Sequence, residues 1–364
     1  MDSKMVINIA IIGCGRIAGH HIKSIIRDKD FKLIAVCDLI RERADTYANE
    51  YNCFSYTNYH KMLKEHPEID VVAVITPSGM HYEHSKEILE LYKKHIIVEK
   101  PTFLKWSQVE EVYKLAESLN KKVFSVFQNR YNKAVQRVIQ GLKNNELGKL
   151  QSIAIRVRWC RPQRYYDLAP WRGTFSQDGG CLTNQGIHHI DLLRYFAGEV
   201  QKVSSIHKTL GADIEVEDTA TAIIEFKTGV LGTLEITTAA RPIDYEASIS
   251  LVCDKGLAQI GGIAVNELQV YSPDPGACLE NSEDFSGSVY GNGHNTIYNN
   301  IKSSIQNHSE YEISFSDTLN TIKLLNAFYV SNEIQAWTDV STSIEPKRLG
   351  ELNESISRLY RTNN

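Results

Sequence analysis

The fold of this chain is predicted from one stretch near its beginning, Val6-Ile7-Asn8-Ile9-Ala10-Ile11-Ile12-Gly13-Cys14-Gly15-Arg16-Ile17-Ala18-Gly19. A run of apolar, largely β-branched residues stops at Gly13, and apolar residues then recur at helical spacing, which predicts a strand, a tight turn and a helix. Gly13 permits the turn, Gly15 lets a phosphate approach the backbone, and Ala18 lets the helix pack on the strand. The N–H groups at the start of such a helix bind phosphate, so the stretch predicts a dinucleotide site.

The next predicted strand, Phe31–Cys37, supplies the second half of this signature. It ends in Asp38, which lies 25 residues after Gly13, close to the separation at which an acidic residue holds a ribose diol. A carboxylate there repels a 2′-phosphate, so NAD is favoured over NADP. Two alternatives stay open: Asp38 caps a helix, or Arg41 and Arg43 just beyond it accommodate NADP.

Length, charge and cysteine content exclude several classes of protein. The 364 residues suit two domains that bury their cores without disulfides. Seven scattered cysteines with no C-x-x-C pair indicate reduced thiols in the cytoplasm and no zinc site. The net charge of −4 argues against a general nucleic-acid or membrane binder. No stretch has the about 20 apolar residues of a membrane span. We therefore expect a cytoplasmic protein without metal, nucleic-acid or membrane partners.

Strands and helices alternate through residues 1–127. After the first two strands, further strands are predicted at 71–75, 95–98 and 123–127, with helices at 81–94 and 106–120. Continuous apolar strands separated by helices predict a parallel sheet covered on both faces, an α/β Rossmann domain. Ligands bind at the carboxyl ends of such strands, which here carry Gly13, Asp38, Thr76 and Glu99-Lys100.

The pattern changes to long β segments after a predicted helix at 132–145. Strands at 219–226 and 230–237 flank Lys227-Thr228-Gly229, and strands at 247–253 and 257–260 flank Asp254-Lys255-Gly256, which predicts two hairpins. Residues 128–364 are therefore expected to form an α+β domain with a large, mostly antiparallel open sheet. Helices would cover one face and a partner subunit the other. A helix at 318–334 is expected to return to the first domain.

The segment Gly179-Gly180-Cys181-Leu182-Thr183-Asn184-Gln185-Gly186-Ile187-His188-His189-Ile190-Asp191 is the most informative stretch of this second half. If a helix starts near Cys181, then Asn184 and His188 share one face, with Asp191 one turn further on. A metal site on His188, His189 and Asp191 fits poorly, because adjacent helical histidines diverge by about 100°. The remaining alternative is a histidine buried for structural reasons at a helix–sheet contact.

Taken together, these motifs resemble the glucose–fructose oxidoreductase, inositol dehydrogenase and MocA family of NAD(P)-dependent sugar and polyol dehydrogenases. The resemblance spans essentially the whole chain and rests on residues 13–18, Asp38, Glu99-Lys100-Pro101, and Gly179-Gly180 followed by Asn184, Gly186, His188 and Asp191. It implies a Rossmann domain, a mostly antiparallel second domain that forms dimers or tetramers, and a catalytic lysine and histidine. These two match Lys100 and His188.

One position departs from the family pattern, in which an aspartate commonly stands four residues before the histidine. This chain has Asn184 there. An amide orients an imidazole ring but supplies no charge to stabilise its protonated form, so His188 is expected to be a weaker base. Lys100, desolvated beside the nicotinamide, is the alternative proton acceptor. Both assignments stay open at this point.

Within the family, residues 159–167, 170–174 and 184–191 most resemble the UDP-N-acetylglucosaminuronate 3-dehydrogenases of bacterial surface-polysaccharide synthesis. Five arginines fall within seventeen positions of this acidic chain, namely Arg156, Arg158, Arg161, Arg164 and Arg172. Arginine binds carboxylate and diphosphate oxygens in pairs. Tyr165, Tyr166 and Trp171 are expected to stack on a uracil or line a sugar. Arg156 and Arg158 alternate on a strand, so two alternatives stay open for them: they bind the substrate, or they simply face solvent or a neighbouring subunit.

The sequence therefore predicts three overlapping sets of site residues. The cofactor set is Gly13, Gly15, Arg16, Ile17, Asp38, Thr76, Pro77, Ser78, His81, Glu99, Lys100, Gln128, Trp171 and Arg172. The substrate set is Lys100, Arg161, Arg164, Tyr165, Tyr166, Asn184, Gln185, His188 and His294. Lys100 and His188 form the catalytic set.

The predicted reaction is NAD-dependent oxidation of the C3 hydroxyl of UDP-N-acetylglucosaminuronate to a 3-keto sugar, which an aminotransferase would then accept. The resemblance also implies that bound NADH is reoxidised by a 2-oxo acid such as 2-oxoglutarate. Two alternatives remain. One is an inositol or free-sugar dehydrogenase of the same family, and the other is a non-catalytic regulator that only binds NAD.

Overall fold

The computed structural model describes residues 6–286, 289–342 and 344–362. Its first part alternates strands and helices in the order β1 (Ile7–Ile12), α1 (Ala18–Ile26), β2 (Phe31–Cys37), α2 (Arg41–Tyr51), β3 (Phe54–Tyr56), α3 (Tyr59–Glu65), β4 (Val71–Val74), α4 (His81–Glu87), β5 (His95–Val98), α5 (Trp106–Ser118), β6 (Val123–Ser125) and α6 (Lys133–Lys143). The strands pair in parallel in the order β3-β2-β1-β4-β5-β6. The order reverses between β1 and β4, and ligands bind at such a point.

Several element ends differ from the predicted ones. The helix predicted over 81–94 continues from α4 as a π-helical turn, Ile88–Tyr92, and ends where Lys93 adopts a left-handed conformation with a φ of 51°. The strand predicted over 123–127 ends at Ser125 and is followed by a 3-10 turn, Gln128–Tyr131. The three-residue strand β3 was not predicted, because its residues are exposed or only half-buried and carry no apolar pattern.

The second part holds a mixed sheet. Its elements are β7 (Leu150–Arg158), α7 (Gln163–Tyr166), α8 (Gly180–Asn184), α9 (Ile187–Ala197), β8 (Val200–Lys208), β9 (Thr219–Phe226), β10 (Leu231–Thr237), β11 (Glu246–Cys253), β12 (Leu257–Gly261), β13 (Glu267–Tyr271), α10 (Ala277–Glu280), α11 (Gly293–Gln306), α12 (Phe315–Ile334), β14 (Thr338–Asp339) and α13 (Glu354–Ser357). The order is β13-β12-β11-β7-β10-β9-β8-β14. Both predicted hairpins are confirmed. β7 and β10 pair in parallel, and the other pairs are antiparallel.

Helices α9 and α12 pack on one face of this sheet. The other face leaves apolar side chains exposed on successive strands, namely Ile206, Ile223, Leu231, Val252, Leu257 and Val270. An open sheet face of this kind matches the prediction of a partner subunit, which stays a prediction. Within the part of the chain that the structure describes, no helix has both the length and the apolar character needed to cross a membrane.

Helix α12 also packs against α5 of the first part. The buried amide of Asn326 accepts a hydrogen bond from the Trp106 backbone N at 3.0 Å and donates one to the Leu104 oxygen at 2.8 Å. Thr318 reaches Ser125 at the end of β6, with 3.0 Å between their hydroxyl oxygens. These contacts hold the carboxyl end of the parallel sheet against the helices of the second part.

Candidate active site

The glycine-rich turn after β1 has the geometry that the sequence predicts. Gly13 has a φ of +98°, and a Cβ there would lie 2.4 Å from the backbone oxygen of Ile75, so only glycine fits. A Cβ at Gly15 would meet no described atom within 4 Å, because this residue faces an open groove. Helix α1 begins at Ala18 beside the same groove. The turn therefore has the space, next to the start of a helix, that a pyrophosphate requires.

Asp38 follows β2 and holds this turn with both of its carboxylate oxygens. Oδ2 accepts a hydrogen bond from the Cys14 backbone N at 2.8 Å, and Oδ1 accepts one from Ile40 N at 2.8 Å. A carboxylate has lone pairs beyond these two bonds, so Asp38 keeps the capacity to accept from ribose hydroxyls. Arg43 lines the groove close by. The structure does not support the capping alternative, because the N-cap of α2 is Ile40 and no side chain caps that helix. The ribose role stays a prediction.

A groove of about 710 Å³ runs from this turn along the sheet edge. The predicted cofactor residues that line it are Gly13, Gly15, Arg16, Asp38, Thr76, Pro77, Trp171 and Arg172. Three residues near the C-terminus, Leu359, Tyr360 and Thr362, complete its wall. The turn, the acidic residue and the shape of the groove fit a dinucleotide such as NAD.

A smaller cavity of about 200 Å³ continues from the groove into the body of the protein. Its walls include the other predicted cofactor residues, Ile17, Ser78, His81, Glu99, Lys100 and Gln128. They also include six predicted substrate residues, Lys100, Arg161, Tyr165, Asn184, Gln185 and His188. Strand ends of the parallel sheet and the α8–α9 segment of the second part therefore meet at one central cavity.

Glu99 is buried next to Lys100, between two histidines. Its Oε1 lies 2.9 Å from Nε2 of His21 and 3.3 Å from Nε2 of His294, and its Oε2 accepts from the Lys100 backbone N at 2.9 Å. Burial alone would raise the pKa of Glu99, but the two histidines hold it well below its ordinary value. Ligand atoms of these three residues lie within 4.8 Å of one another, as in metal sites. Direct hydrogen bonds already join them, so the group forms a buried polar network.

The Lys100 side chain crosses from the parallel sheet to α8. Its Nζ donates a hydrogen bond to the backbone oxygen of Asn184 at 2.8 Å and lies 3.4 Å from the amide oxygen Oδ1. Burial lowers the pKa of Lys100, and the charges of Glu99 and Asp178 oppose that shift. A lysine with a lowered pKa exchanges a proton with a hydroxyl group more readily at neutral pH.

His188 presents an unpaired imidazole to the same cavity. Neither ring nitrogen has a hydrogen-bond partner among the described residues, although only 7% of the residue is exposed. Burial first, and then the nearby charge of Lys100, hold the pKa of His188 well below its ordinary value. A buried polar group without a partner is costly, so these nitrogens are suited to a ligand.

The α8–α9 segment differs from the single helix that the sequence predicts. Helix α8 ends at Asn184 and α9 begins at Ile187, with Gln185-Gly186 between them. Asn184 and His188 nevertheless line one cavity. Asp191 is buried away from it, where both of its oxygens accept hydrogen bonds from Arg130 at 2.7 Å.

A second, outer cavity of about 840 Å³ has Arg161 and Arg164 in its wall. Arg161 and Tyr165 also line the central cavity, so the two spaces are adjacent. Asp244 orients Arg161 by an ion pair of 2.7 Å. Arg172 donates to the Tyr165 hydroxyl at 2.5 Å.

The two strand arginines, Arg156 and Arg158, form ion pairs with neighbouring strands of the sheet instead. Arg158 forms hydrogen bonds of 2.7 and 2.9 Å with Glu235 on β10 and lies 3.3 Å from Glu246 on β11. Arg156 lies 3.7 Å from Glu246. Of the alternatives weighed for this pair, the structure supports the one outside the ligand site.

Two predicted substrate residues line none of these three cavities, and their assignment stays a prediction. Tyr166 is buried with its hydroxyl 3.0 Å from that of Thr238, and its ring supports Tyr165 edge-on. His294 lies behind Glu99, as described above. Sequence position alone could not show these side-chain directions, because they depend on how α7 and α11 pack against the rest of the protein.

Other residues of the site were not assigned from the sequence. Val289 and Tyr290 line both the central and outer cavities, and Trp159 and Asn129 line the central one. Asp178 is buried beside Asn184. The C-terminal segment gave no signal, because its polar residues have no regular apolar spacing. Asp178 stands in the glycine-rich stretch, where its acidic side chain among small residues was an available signal.

Comparison with known proteins agrees with this architecture. Residues 7–127 match the oxidoreductase family with an NAD-binding Rossmann fold, and residues 135–259 match the GFO/IDH/MocA C-terminal domain. The chain is 29% identical over 255 residues to the D-glucoside 3-dehydrogenase of Escherichia coli, a match that covers 64% of this chain and 70% of that protein.

Two solved structures resemble the protein over nearly its whole length. The WlbA dehydrogenase of Chromobacterium violaceum, in complex with NADH and UDP-GlcNAcA, is 33% identical with a TM-score of 0.84, covering 93% of this chain and 97% of that one. The WlbA dehydrogenase of Bordetella pertussis, with the same two ligands, is 30% identical with a TM-score of 0.85, covering 93% and 99%. The protein described here therefore belongs to the GFO/IDH/MocA family of NAD-binding oxidoreductases.

Proposed function

We propose that this protein oxidises the C3 hydroxyl of UDP-N-acetylglucosaminuronate to the 3-keto sugar with NAD. The observation that carries the proposal is that the Lys100–His188 cavity lies next to an outer cavity lined by Arg161 and Arg164. The two WlbA dehydrogenases, which are similar over nearly the whole chain, were solved with NADH and UDP-GlcNAcA. Surface-polysaccharide synthesis is the pathway that this substrate suggests.

The division into two cavities suits a substrate with a sugar at one end and a nucleotide at the other. The central cavity takes the sugar, and the outer cavity takes the diphosphate and nucleoside. Arg161 stands where the two meet, and guanidinium groups bind carboxylate and phosphate oxygens with strong, charge-assisted hydrogen bonds. A free sugar would leave the outer cavity and its arginines without a ligand.

Lys100 is proposed to take the hydroxyl proton. When its amine is neutral, its two N–H groups donate hydrogen bonds to the two oxygens of Asn184, and the lone pair remains available to the substrate. His188 stays neutral because of its lowered pKa, and it binds the same hydroxyl through an unpaired ring nitrogen. NAD, when bound, supplies the nicotinamide carbon that accepts the hydride. The carbon loses a hydride and the oxygen a proton, which gives the ketone.

A second candidate is a free-sugar or inositol dehydrogenase, which the similarity to D-glucoside 3-dehydrogenase favours. It retains the same roles for Lys100 and His188 but has no use for the arginines of the outer cavity. A non-catalytic regulator is the third alternative, and it has no use for the unpaired imidazole of His188 either.

The test is a substrate panel with the purified protein and NAD. UDP-N-acetylglucosaminuronate is compared with inositol, N-acetylglucosamine and a glucoside, each with and without 2-oxoglutarate, while NADH absorbance and keto product by mass spectrometry are recorded. A keto product from the nucleotide sugar alone supports the proposal, and dependence on 2-oxoglutarate supports recycling of bound NADH. Oxidation of a free sugar or inositol only would transfer the assignment to the second candidate.

Assembly, domain limits and location are also proposals. The exposed apolar side chains on the open sheet face support a homodimer or homotetramer formed through that face. Introducing a charge, as in Ile223→Glu, would then lower the molecular mass measured by light scattering. We retain 1–127 as the cofactor domain and 128–364 as the substrate and oligomerisation domain. An intracellular location is still inferred from the cysteine content alone.

A further inference from the structure

Asp178 is a buried carboxylate that the mechanism above does not use. It is 1% exposed, and it lies in the loop that leads into α8. Oδ2 accepts a hydrogen bond from the Gly173 backbone N at 2.7 Å, and Oδ1 accepts one from the amide Nδ2 of Asn184. The loop is itself anchored to the 3-10 turn Ser78–Met80, which follows β4, because Gly79 N donates to the Gln177 oxygen at 2.9 Å. Asp178 therefore has a fixed position relative to the cofactor side of the cavity.

The bond from Asn184 to Asp178 determines which way the Asn184 amide faces. Its NH₂ group donates to the carboxylate, so its Oδ1 is on the side of Lys100, 3.4 Å from Nζ. With the amide reversed, an N–H group would face the lysine, and donor would meet donor. The three side chains thus form a chain of hydrogen bonds from Asp178 through Asn184 to Lys100.

We propose that Asp178 is a positioning residue for the reaction: it orients the Asn184 amide toward Lys100 and supplies the negative charge that Asn184 lacks. The proposal rests on the proposed function, in which Lys100 takes the hydroxyl proton. Asp178 does not touch substrate or cofactor in this account. Its effect reaches the reacting atoms only through the geometry and the proton affinity of Lys100.

Several charges act on this chain of hydrogen bonds. Burial lowers the pKa of Lys100, the charges of Glu99 and Asp178 raise it, and those of Arg172 and Arg161 lower it further. Burial raises the pKa of Asp178, while its bonds from Gly173 and Asn184 and the charges of Arg172 and Lys100 act in the opposite direction. The imidazole of His188 also faces Lys100 across the cavity.

The single variant Asp178→Asn disrupts the hydrogen bonds from Asp178 through Asn184 to Lys100 without a change in side-chain size. The amide introduced at position 178 satisfies Gly173 N only with its oxygen, so its NH₂ group faces Asn184 and forces that amide to reverse. Lys100 then loses its contact with Oδ1 and its attraction to the carboxylate. We expect its pKa to fall, and the limb of the pH profile that belongs to Lys100 to move to lower pH. We expect kcat to fall about tenfold or more, with KM changed little.

The exchange variant Asp178→Asn/Asn184→Asp restores every one of these bonds. The amide oxygen at position 178 accepts from Gly173 N, the amide NH₂ group there donates to the new carboxylate at position 184, and that carboxylate accepts from Lys100. One negative charge is present, as in the unmodified protein. The single variant Asn184→Asp instead sets two carboxylates against each other, so one must hold a proton. We therefore expect the exchange to recover kcat to within a few-fold, and each single variant to stay impaired.

Two measurements on the full-length protein test the proposal. The first is kcat and kcat/KM against pH on the substrate that the unmodified enzyme oxidises, for the two single variants and the exchange. The second requires no turnover: the rate of Lys100 acetylation by acetic anhydride against pH, read by mass spectrometry, reports the pKa of Lys100. Thermal unfolding and NADH binding are measured for each variant as well, so that a folding defect is recognised.

The proposal predicts that Asp178→Asn lowers the pH midpoint of Lys100 acetylation and that the exchange restores it. If Asp178 only stabilised the loop, the variant would melt earlier, but the acetylation midpoint would not move and the exchange would not recover kcat. Either of these two results would overturn the proposal. If the protein oxidises none of the panel substrates, the proposed function is wrong. The acetylation midpoints still show whether Asp178 affects the pKa of Lys100.

Discussion

Nζ of Lys100 lies 2.8 Å from the backbone oxygen of Asn184, and this contact joins the two parts of the active site. Lys100 follows β5 of the parallel sheet, and Asn184 ends α8 of the second part. The lysine therefore reaches its working position only when the two parts are packed together. Its lowered pKa has the same origin, because burial between the two parts is the largest contribution to that shift.

Loss of the Lys100 amine should affect catalysis more than loss of the His188 imidazole. We expect Lys100→Met to lower kcat about 10³-fold or more, and His188→Asn to lower it by about 10- to 100-fold, since general acid–base groups contribute about 10²–10⁴. His188 is the weaker base because burial and Lys100 hold its pKa well below its ordinary value. Steady-state kinetics against pH checks this, with NADH affinity as the control. A larger loss in His188→Asn would reassign the base.

The arginines of the outer cavity should determine affinity for a nucleotide sugar. We expect Arg161→Ala and Arg164→Ala each to raise KM for UDP-N-acetylglucosaminuronate by about tenfold or more, with kcat changed less, because each removes a charge-assisted bond. Arg156→Ala is the matched control, since Arg156 lies on β7 near Glu246 and lines none of the three cavities. If Arg161→Ala and Arg164→Ala had the same KM as the control Arg156→Ala, the outer cavity would not bind the nucleotide.

The C-terminal segment should slow the release of NADH. Leu359, Tyr360 and Thr362 line the cofactor groove, and Arg361 anchors them by hydrogen bonds of 2.5 and 2.8 Å to Glu83. We expect Arg361→Ala to speed NADH dissociation by up to about tenfold, a factor that corresponds to about 1.4 kcal/mol. Stopped-flow fluorescence of NADH displacement measures it. Arg358→Ala, an exposed neighbour on the same segment, is the control and should match the unmodified protein.

Glu217 should make the protein less stable as pH rises. Burial raises the pKa of this carboxyl to about 8, although it accepts a hydrogen bond from Leu182 N and contacts the Tyr329 hydroxyl at 2.7 Å. Between its unfolded pKa of 4.5 and about 8, the folded protein holds a proton that the unfolded chain releases. The free energy of unfolding therefore decreases across this window as pH increases.

The variant Glu217→Gln stays neutral at every pH and should remove that slope. We expect it to be more stable than the unmodified protein at pH 9, by on the order of 1–2 kcal/mol, and close to it at pH 5. Denaturant unfolding at the two pH values measures this, with the exposed Glu351→Gln as control. A variant that is destabilised equally at both values would show that the Glu217 carboxylate is ionised in the folded protein.

The sequence predicts which residues lie at the carboxyl ends of the parallel strands, because parallel topology brings these ends together. Gly13, Asp38, Thr76 and Glu99 each follow a recognisable apolar strand, so their neighbourhood needs no knowledge of side-chain packing. The substrate side depends on how loops and helices pack across the two parts. Tyr165 and Tyr166 illustrate this, since adjacent residues of α7 place one ring in the cavity wall and the other beneath it.

Other features depend on contacts between distant parts of the chain. His294 was predicted as a substrate residue from its loop motif, but it contacts Glu99, 195 residues earlier. The C-terminal wall of the groove and the bond between Asp178 and Asn184 likewise arise from packing. Local spacing gives no information on such contacts. The resemblance to a family points to Lys100 and His188 without any knowledge of these contacts.

Hydride transfer from C3 can be followed with UDP-N-acetylglucosaminuronate that carries deuterium at C3. The purified enzyme and NAD are incubated with it in the absence of a 2-oxo acid, and the NADH formed is analysed by mass spectrometry. The account predicts one deuterium in each NADH and a slower rate than with the unlabelled sugar. NADH without deuterium, or no NADH and no keto sugar, would contradict it.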